Sequence, residues 1–89
     1  MRIRVAISGL VQGVAFRHET RKTALSLNLT GWVRNLPDGR VEAVFTGAAE
    51  STAAMLRWCK RGPRLAQVRD VQVREEADTE SFDAFEIRY

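Results

Sequence analysis

Residues 9–17 read Gly9-Leu10-Val11-Gln12-Gly13-Val14-Ala15-Phe16-Arg17, and they join a strand pattern to a helical pattern. A helix that begins here leaves its first backbone amides without partners inside the helix. Such amides bind anions, because the donors converge and the helix dipole is positive at this end. Arg17 adds a planar fork of donors that suits two phosphate oxygens at once. The stretch therefore predicts a phosphate-binding loop with an arginine at its rim.

The residues on both sides of this loop have clear periodicity. Apolar and polar side chains alternate from Arg2 to Ser8, which is typical of a half-buried strand. A helix is predicted from residue 17 to about residue 27, with Thr20, Ala24 and Leu27 on its inner face. Asn28 then suits the left-handed position that ends a helix.

The middle of the chain predicts a hairpin. Residues 30–35 and the alternating stretch from Val41 to Phe45 predict two strands. Between them, Leu36-Pro37-Asp38-Gly39 has the residue types of a tight turn, because Pro presets one backbone angle and Gly accepts a positive one.

The second half of the chain predicts another helix and two more strands. The helix runs from about Ala49 to Arg61, with Met55, Trp58 and Cys59 on its apolar face, and Gly62-Pro63 ends it. Valines 68, 71 and 73 predict a strand with a bulge or change of face near Arg69-Asp70. An acidic connection from Glu75 to Ser81 leads to a final strand over residues 85–89.

This order, β-α-β-β-α-β with a final strand, predicts the α+β class. Two helices of about three turns cannot cover both faces of such a sheet. We therefore expect a two-layer sandwich with an antiparallel sheet and both helices on one face, the ferredoxin-like split β-α-β arrangement. The length of 89 residues predicts a single domain over residues 1–89.

Composition limits the classes of function. No apolar run approaches the roughly 20 residues of a membrane span, and the alternating N-terminal residues predict a cytoplasmic protein. Cys59 and His18 are single residues of their types, so no internal disulfide and no usual zinc site is expected. The net charge of +3 and the isoelectric point of about 9.8 favour anionic partners, although a solvated surface that happens to be basic is the preferred explanation for the chain as a whole.

A second stretch completes a family resemblance. It reads Gly31-Trp32-Val33-Arg34-Asn35-Leu36-Pro37-Asp38-Gly39-Arg40-Val41-Glu42 and matches the pattern G-W-V-R-N-x-x-D-G-x-V-E. Residues 9–17 match G-x-V-Q-G-V-x-F-R, and both patterns are signatures of acylphosphatases. Gly62-Pro63 followed by Ala66-Gln67-Val68 is also similar to that family. Two signatures in this order and spacing are a strong signal.

The resemblance implies a small enzyme that hydrolyses the carboxyl–phosphate bond of acyl phosphates. It implies that Arg17 and the loop amides from Gln12 to Phe16 bind the phosphate, and that Asn35 holds the attacking water. It implies no metal, cofactor or covalent intermediate, and it favours a monomer with a small-molecule substrate.

Several residues have simpler interpretations. Phe16, Trp32 and Cys59 are expected in the core, and His18 on the surface. Thr20 is expected to be an ordinary half-buried helix residue, and the basic run Arg57, Lys60, Arg61 and Arg64 to be a solvated face. Gln12 fits a side-chain role in the site or a local loop hydrogen bond equally well.

The alternative function is a non-catalytic binding module for RNA or a phosphorylated ligand, since this fold class hosts such modules too. The predicted β1 and β3 lack the paired aromatic residues of RNA-recognition domains, which argues against nucleic acid as a partner.

Overall fold

The elements follow the predicted order. The computed structural model describes residues 1–77 and 81–89 of the chain. The bounds in that part of the chain are β1 Arg2–Leu10, α1 Phe16–Ser26, β2 Thr30–Asn35, β3 Val41–Thr46, α2 Ala49–Arg61, β4 Gln67–Glu76 and β5 Phe85–Arg88. Helix α1 thus begins and ends one residue earlier than the sequence predicted, whereas α2 has the predicted bounds.

The strands form a mixed sheet in the order β4-β1-β3-β2-β5. The first four strands pair antiparallel, as predicted. Strand β5 differs from the expectation of a purely antiparallel sheet, because it pairs parallel to β2. The reason is directional: β5 begins at the end of the sheet where β4 stops, which is also the end where β2 begins.

Both helices cover one face of this sheet, and the core lies between the two layers. Ile3, Val5 and Ile7 of β1 point toward the helices and are at most 4 % exposed. Phe16 and Met55 meet them from α1 and α2 in one continuous cluster. No described helix is both long enough and apolar enough to cross a membrane. The predicted α+β sandwich is confirmed.

Local signals in the sequence account for the connections. Asn28 has a φ of 58° just after α1, which is the left-handed conformation that ends a helix. Gly39 has a φ of 96° in the β2–β3 turn, and its amide donates to the Leu36 carbonyl at 3.2 Å. The pairing of β1 with β4 shifts register between Ser8 and Gly9, which confirms the bulge expected near Arg69.

Strand β4 is longer than the sequence predicted. Glu75 and Glu76 were expected to open the acidic connection, but they pair with Ile3 and Arg2 as the last residues of the strand. The strand tolerates both acidic residues because Glu75 is exposed and the Glu76 carboxylate accepts hydrogen bonds from Arg4 of the neighbouring strand. Residues 78–80 of the predicted connection lie outside the described residues.

The face of the sheet opposite the helices is held by charged groups around a tryptophan. Trp32 is 5 % exposed and therefore buried, as expected, but it lies on this face and not among the core residues under the helices. The guanidinium carbons of Arg4, Arg34 and Arg88 lie 5.3, 5.1 and 4.8 Å from its ring centroid. Such cation–π contacts stabilise a ring that would otherwise face water.

Carboxylates neutralise the same arginines. Glu42 pairs with Arg4 at 3.1 Å and with Arg34 at 2.6 Å, while Glu76 pairs with Arg4 and, at 3.4 Å, with Arg74. The hydrogen bond from Arg4 holds the pKa of Glu76 below its ordinary value, against the opposing effect of partial burial. This face is therefore a paired network and not an open aromatic platform.

The lowered pKa of Glu76 predicts a pH dependence of stability. A carboxylate with a lowered pKa stabilises the fold above its unfolded-state pKa of about 4.3, and this contribution is lost as the pH falls through the lower folded-state value. We expect Glu76→Gln to reduce the free energy of unfolding at pH 7 by about 1 kcal/mol or less, because the pair is partly solvated.

Urea unfolding of wild type and Glu76→Gln between pH 2 and pH 7 measures this contribution. The difference should shrink below pH 4. Glu86→Gln is the matched control, because it removes a carboxylate whose one ion pair within residues 1–77 and 81–89 is with Arg88, at 3.9 Å. A difference between wild type and Glu76→Gln that stays constant over the whole pH range would contradict the assignment.

Candidate functional site

The loop between β1 and α1 has an unusual backbone. Gly13 has a φ of 74° and Ala15 a φ of 59°, so both residues are left-handed. For alanine this conformation is unfavourable by roughly 1 kcal/mol or more. Val11 and Phe16, which are 1 % and 2 % exposed, anchor the two ends of the loop in the core. The surrounding structure thus imposes the strained shape on the loop.

This shape leaves a set of backbone amides without partners. Ala15 is the N-cap of α1, and its side chain caps nothing. The first amide bonded to the cap is that of Glu19, which donates to the Ala15 carbonyl at 3.0 Å. In the described part of the chain, the amides from Gly13 to His18 donate to no backbone carbonyl. They are donors at a helix N-terminus, where an anion is favoured.

Arg17 lies at the start of α1 and is half-buried. Within the described residues no carboxylate lies within 4.0 Å of its guanidinium, so no ion pair neutralises its charge. Its guanidinium carbon lies 4.8 Å from the centroid of the Tyr89 ring. The ring covers one side of the guanidinium, and because 95 % of Tyr89 is exposed, the contact lies at the surface and leaves the site open to solvent.

The Tyr89 contact also relates Arg17 to Asn35. Arg34 pairs with Arg88 in the parallel β2–β5 register. Extending this register by one residue along both strands brings Tyr89 alongside Asn35. The guanidinium that contacts Tyr89 therefore lies at the end of the sheet where Asn35 completes β2.

Gln12 ties the loop to the same end of the sheet. Its side-chain amide donates to the carbonyls of Leu36 and Arg40 at 2.8 and 3.0 Å. These two residues close the β2–β3 turn, since the Leu36 amide donates to the Arg40 carbonyl at 2.8 Å. Leu36 directly follows Asn35. The hydrogen bonds of Gln12 are therefore not local, and they fix the loop against the hairpin that carries Asn35.

Asn35 carries an unsatisfied acceptor. Its side-chain Oδ1 is buried, and it is the one described buried side-chain oxygen or nitrogen without a hydrogen-bond partner. A buried acceptor left in this state destabilises a protein by about 1–3 kcal/mol. Such an exception points to a missing partner at a functional site. A water molecule or a substrate group is the natural partner.

The remaining polar residues near the loop have structural roles or none. The Thr20 hydroxyl is buried and donates to the Phe16 carbonyl at 2.7 Å, which steadies the first turn of α1. His18 is exposed, as expected. Burial raises the pKa of the Cys59 thiol to about 12, so this thiol stays protonated at neutral pH. The described residues contain no group of three or more His, Cys, Asp and Glu that could hold a metal ion.

Phe16 belongs to the core, although the loop range includes its amide. Its ring packs edge-on against Trp58 at a centroid distance of 5.5 Å. Only its backbone is available to a ligand. Tyr89 is the residue that the sequence missed: it appeared only as the end of an alternating strand, and no local pattern signals a contact with a side chain 72 positions earlier.

A two-layer α+β fold with open amides and an unpaired arginine at one helix start is typical of proteins that bind a small phosphorylated anion. Comparison with known proteins identifies the family within this class. The sequence profile of the family named Acylphosphatase matches residues 3–87, and the chain belongs to the acylphosphatase family.

Individual relatives agree. The chain is 53 % identical over 88 residues to a Trichormus variabilis protein named acylphosphatase, and the match covers 99 % of this chain and 86 % of that protein. It superposes on an acylphosphatase structure from Coxiella burnetii with a TM-score of 0.92 and 44 % identity, covering 98 % of this chain and 90 % of the other. It also superposes on an acylphosphatase structure from Bacillus subtilis with a TM-score of 0.95 and 34 % sequence identity. That match covers 99 % of this chain and 98 % of the other.

The protein is therefore an enzyme that hydrolyses acyl phosphates. The alternative of a non-catalytic binding module is not favoured.

The Gln12 bridge leads to a prediction about catalysis. We expect Gln12→Ala to lower kcat about ten- to hundredfold, because a loop displaced by about 1 Å no longer presents its donors correctly. Losing two hydrogen bonds should also reduce the free energy of unfolding by about 1–2 kcal/mol, although each carbonyl keeps one backbone donor. Steady-state kinetics and urea unfolding measure the two effects.

The matched control is Ser26→Ala. It removes a side-chain donor that bonds a carbonyl three residues away, at 2.7 Å, on the other end of α1. Wild-type kcat in Gln12→Ala would show that the bridge does not position the loop.

Proposed function

We propose that Arg17 and the loop amides from Gln12 to Phe16 bind the phosphoryl group of an acyl phosphate, and that Asn35 positions the water that attacks it. One observation carries this proposal above the others. Among the described residues, the buried Oδ1 of Asn35 has no hydrogen-bond partner and the guanidinium of Arg17 meets no carboxylate, and both groups lie at the same end of the sheet. Arg17 can bind the phosphoryl group, and Asn35 can accept a hydrogen bond from the attacking water, so together they meet the two needs of hydrolysis.

The phosphoryl group needs positive partners that are already in place. Phosphoryl transfer proceeds with charge spread over the three outer oxygens, so catalysis depends mainly on positioning and on electrostatic stabilisation. The left-handed residues Gly13 and Ala15 hold the loop amides in an open arrangement before any ligand arrives. The fork of Arg17 can donate to two further oxygens. These donors therefore need little rearrangement when the substrate binds.

The water needs an acceptor that fixes its direction. The Asn35 Oδ1 can accept one O–H bond and so turn a lone pair of the water toward the phosphorus. As the water oxygen bonds to phosphorus, the bond between phosphorus and the carboxyl oxygen breaks. The acyl group leaves as a carboxylate, and the water's protons end on the inorganic phosphate or in solvent.

The leaving group explains why no strong acid is needed. A carboxylate is stable as an anion and departs without a proton. The chain's single histidine, His18, faces solvent, and the Cys59 thiol is buried and protonated. The proposed mechanism uses neither residue.

The sequence makes further predictions about the protein as a whole. A single domain, a monomeric state and a cytoplasmic location stay predictions. The same holds for the absence of a cofactor and of a nucleic-acid partner.

The test is turnover of benzoyl phosphate in buffer without added metal. Removing one preorganised charged donor costs ~2.7–4 kcal/mol of transition-state stabilisation, so we expect Arg17→Ala to lower kcat/KM about a hundred- to a thousandfold. Asn35→Ala should lower kcat by a similar factor, because the water loses its acceptor.

His18→Ala is the matched control, since it truncates the exposed neighbour of Arg17, and it should keep wild-type turnover. Thermal unfolding confirms that each variant is folded. Wild-type rates in both Arg17→Ala and Asn35→Ala would overturn the site.

A further inference from the structure

The segment around the C-terminus of α2 carries an excess of positive charge that the proposed mechanism does not use. Residues 51–69 contain five Lys and Arg side chains and no Asp or Glu, whereas the whole chain carries a net charge of +3. We call four of these cations the basic segment: Arg57, Lys60, Arg61 and Arg64. All four are exposed.

The basic segment has no ion pair among the described residues, whereas several cations of the strands do. The ion pairs found among the described residues all lie on the strands or on the β2–β3 turn, for example Arg4–Glu42 and Arg40–Asp38. None of them includes a member of the basic segment. Helix dipoles favour cations in a last turn, which accounts for Lys60 and Arg61. It does not account for Arg64, which lies beyond the end of α2.

The C-terminal part of the basic segment follows a stretch that packs against the first residue of α1. The ring of Phe16, the first residue of α1, packs against Trp58 of α2. A Cβ placed on Gly62 would lie 3.0 Å from Cε2 of the same ring. Arg61 and Arg64 flank Gly62-Pro63, so they lie at the end of the molecule where α1 begins. The excess positive charge at the end of α2 and the anion-binding amides therefore share one end of the molecule, close enough for long-range electrostatic attraction.

We propose that the basic segment attracts the substrate and makes this enzyme prefer acyl phosphates whose acyl part carries a negative charge of its own. The proposal rests on the phosphate site proposed above. A cluster of one charge sign beside a binding site raises the local concentration of oppositely charged ligands. The basic segment attracts the phosphoryl group of every acyl phosphate equally. Only a substrate whose acyl group is also negative is attracted more strongly, and this difference would produce the preference.

The size of the effect follows from Coulomb's law. A charge about 10 Å away in water changes an association constant by about twofold, so reversing one cation to an anion changes it by about two- to fourfold. Salt at 0.2 M screens most of this, because the Debye length is then below about 10 Å. The preference is therefore a property of low ionic strength.

The experiment compares benzoyl phosphate with 4-carboxybenzoyl phosphate. The quantity of interest is the ratio of kcat/KM for the carboxylated substrate over the plain one. In the wild type we expect this ratio to be about three- to tenfold higher at 10 mM than at 200 mM ionic strength. The ratio at high salt serves as the reference for the electronic effect of the added carboxylate.

Single charge reversals locate the effect. Arg61→Glu and Arg64→Glu should each lower the ratio at 10 mM about two- to fourfold. Arg74→Glu is the matched control, since it changes the net charge equally on the helix-free face, where the Arg74 side chain is 73 % exposed; it should leave the ratio unchanged. Because Arg64 lies outside α2, its reversal keeps the test valid if Arg61→Glu weakens the helix.

Two results would overturn the proposal. One is an equal ratio at both ionic strengths in the wild type. The other is a fall in Arg74→Glu as large as that in Arg61→Glu and Arg64→Glu, which would mean that only net charge matters. The Arg17 and Asn35 variants test the phosphate site separately, so failure of the basic segment and failure of the site give different results.

Discussion

Two hydrogen bonds from one side chain hold the two parts of the site together. The Gln12 amide donates to the carbonyls of Leu36 and Arg40, which join the β1–α1 loop to the β2–β3 turn. The loop carries the open amides, and the turn directly follows Asn35. Neither part is adjacent to the other in the sequence, and β3 separates β1 from β2 in the sheet. Without this bridge the fold would place the two elements at the same end but would not fix their separation.

The site is kept in a state that is unfavourable by itself. Ala15 is left-handed, the amides from Gly13 to His18 donate to no backbone carbonyl among the described residues, and the Asn35 Oδ1 is buried without a partner in that part of the chain. The strained backbone of Ala15 and the buried Asn35 acceptor each reduce stability by about 1 kcal/mol or more. The core offsets this: Val11 and Phe16 are almost fully buried on both sides of the loop. An acyl phosphate and its water would satisfy the same groups, which is how a preorganised site binds charge with little rearrangement.

Local chemistry explains what the sequence could predict. The hairpin turn, the end of α1 at Asn28 and the end of α2 near Gly62 depend on backbone preferences of single residues, and all three are present. The two signatures placed Arg17 and Asn35 in one family pattern. Their relation in space could not be derived from periodicity, because it depends on the sheet order and on the acceptors of Gln12, which lie 24 and 28 residues away.

Long-range pairing explains what the sequence did not predict. The parallel position of β5 follows from where the chain re-enters the sheet, and no residue within β5 encodes that direction. The contact of Tyr89 with Arg17 depends on the same pairing. Trp32 was correctly expected to be buried, but its cover consists of arginines from three strands. The sequence pattern of a strand can predict that an apolar residue is buried. It does not predict on which face of the sheet the residue lies or which side chains cover it.

The central claim is that Arg17 and Asn35 serve one phosphoryl group in different ways, one by binding it and the other by directing water at it. The inhibition constant of inorganic phosphate, measured against benzoyl phosphate hydrolysis in each variant, tests this most directly. The account predicts that Arg17→Ala weakens phosphate inhibition about a hundredfold or more, whereas Asn35→Ala keeps it within about a factor of three of wild type despite its low turnover. Equal weakening in both variants, or none in Arg17→Ala, would contradict the account.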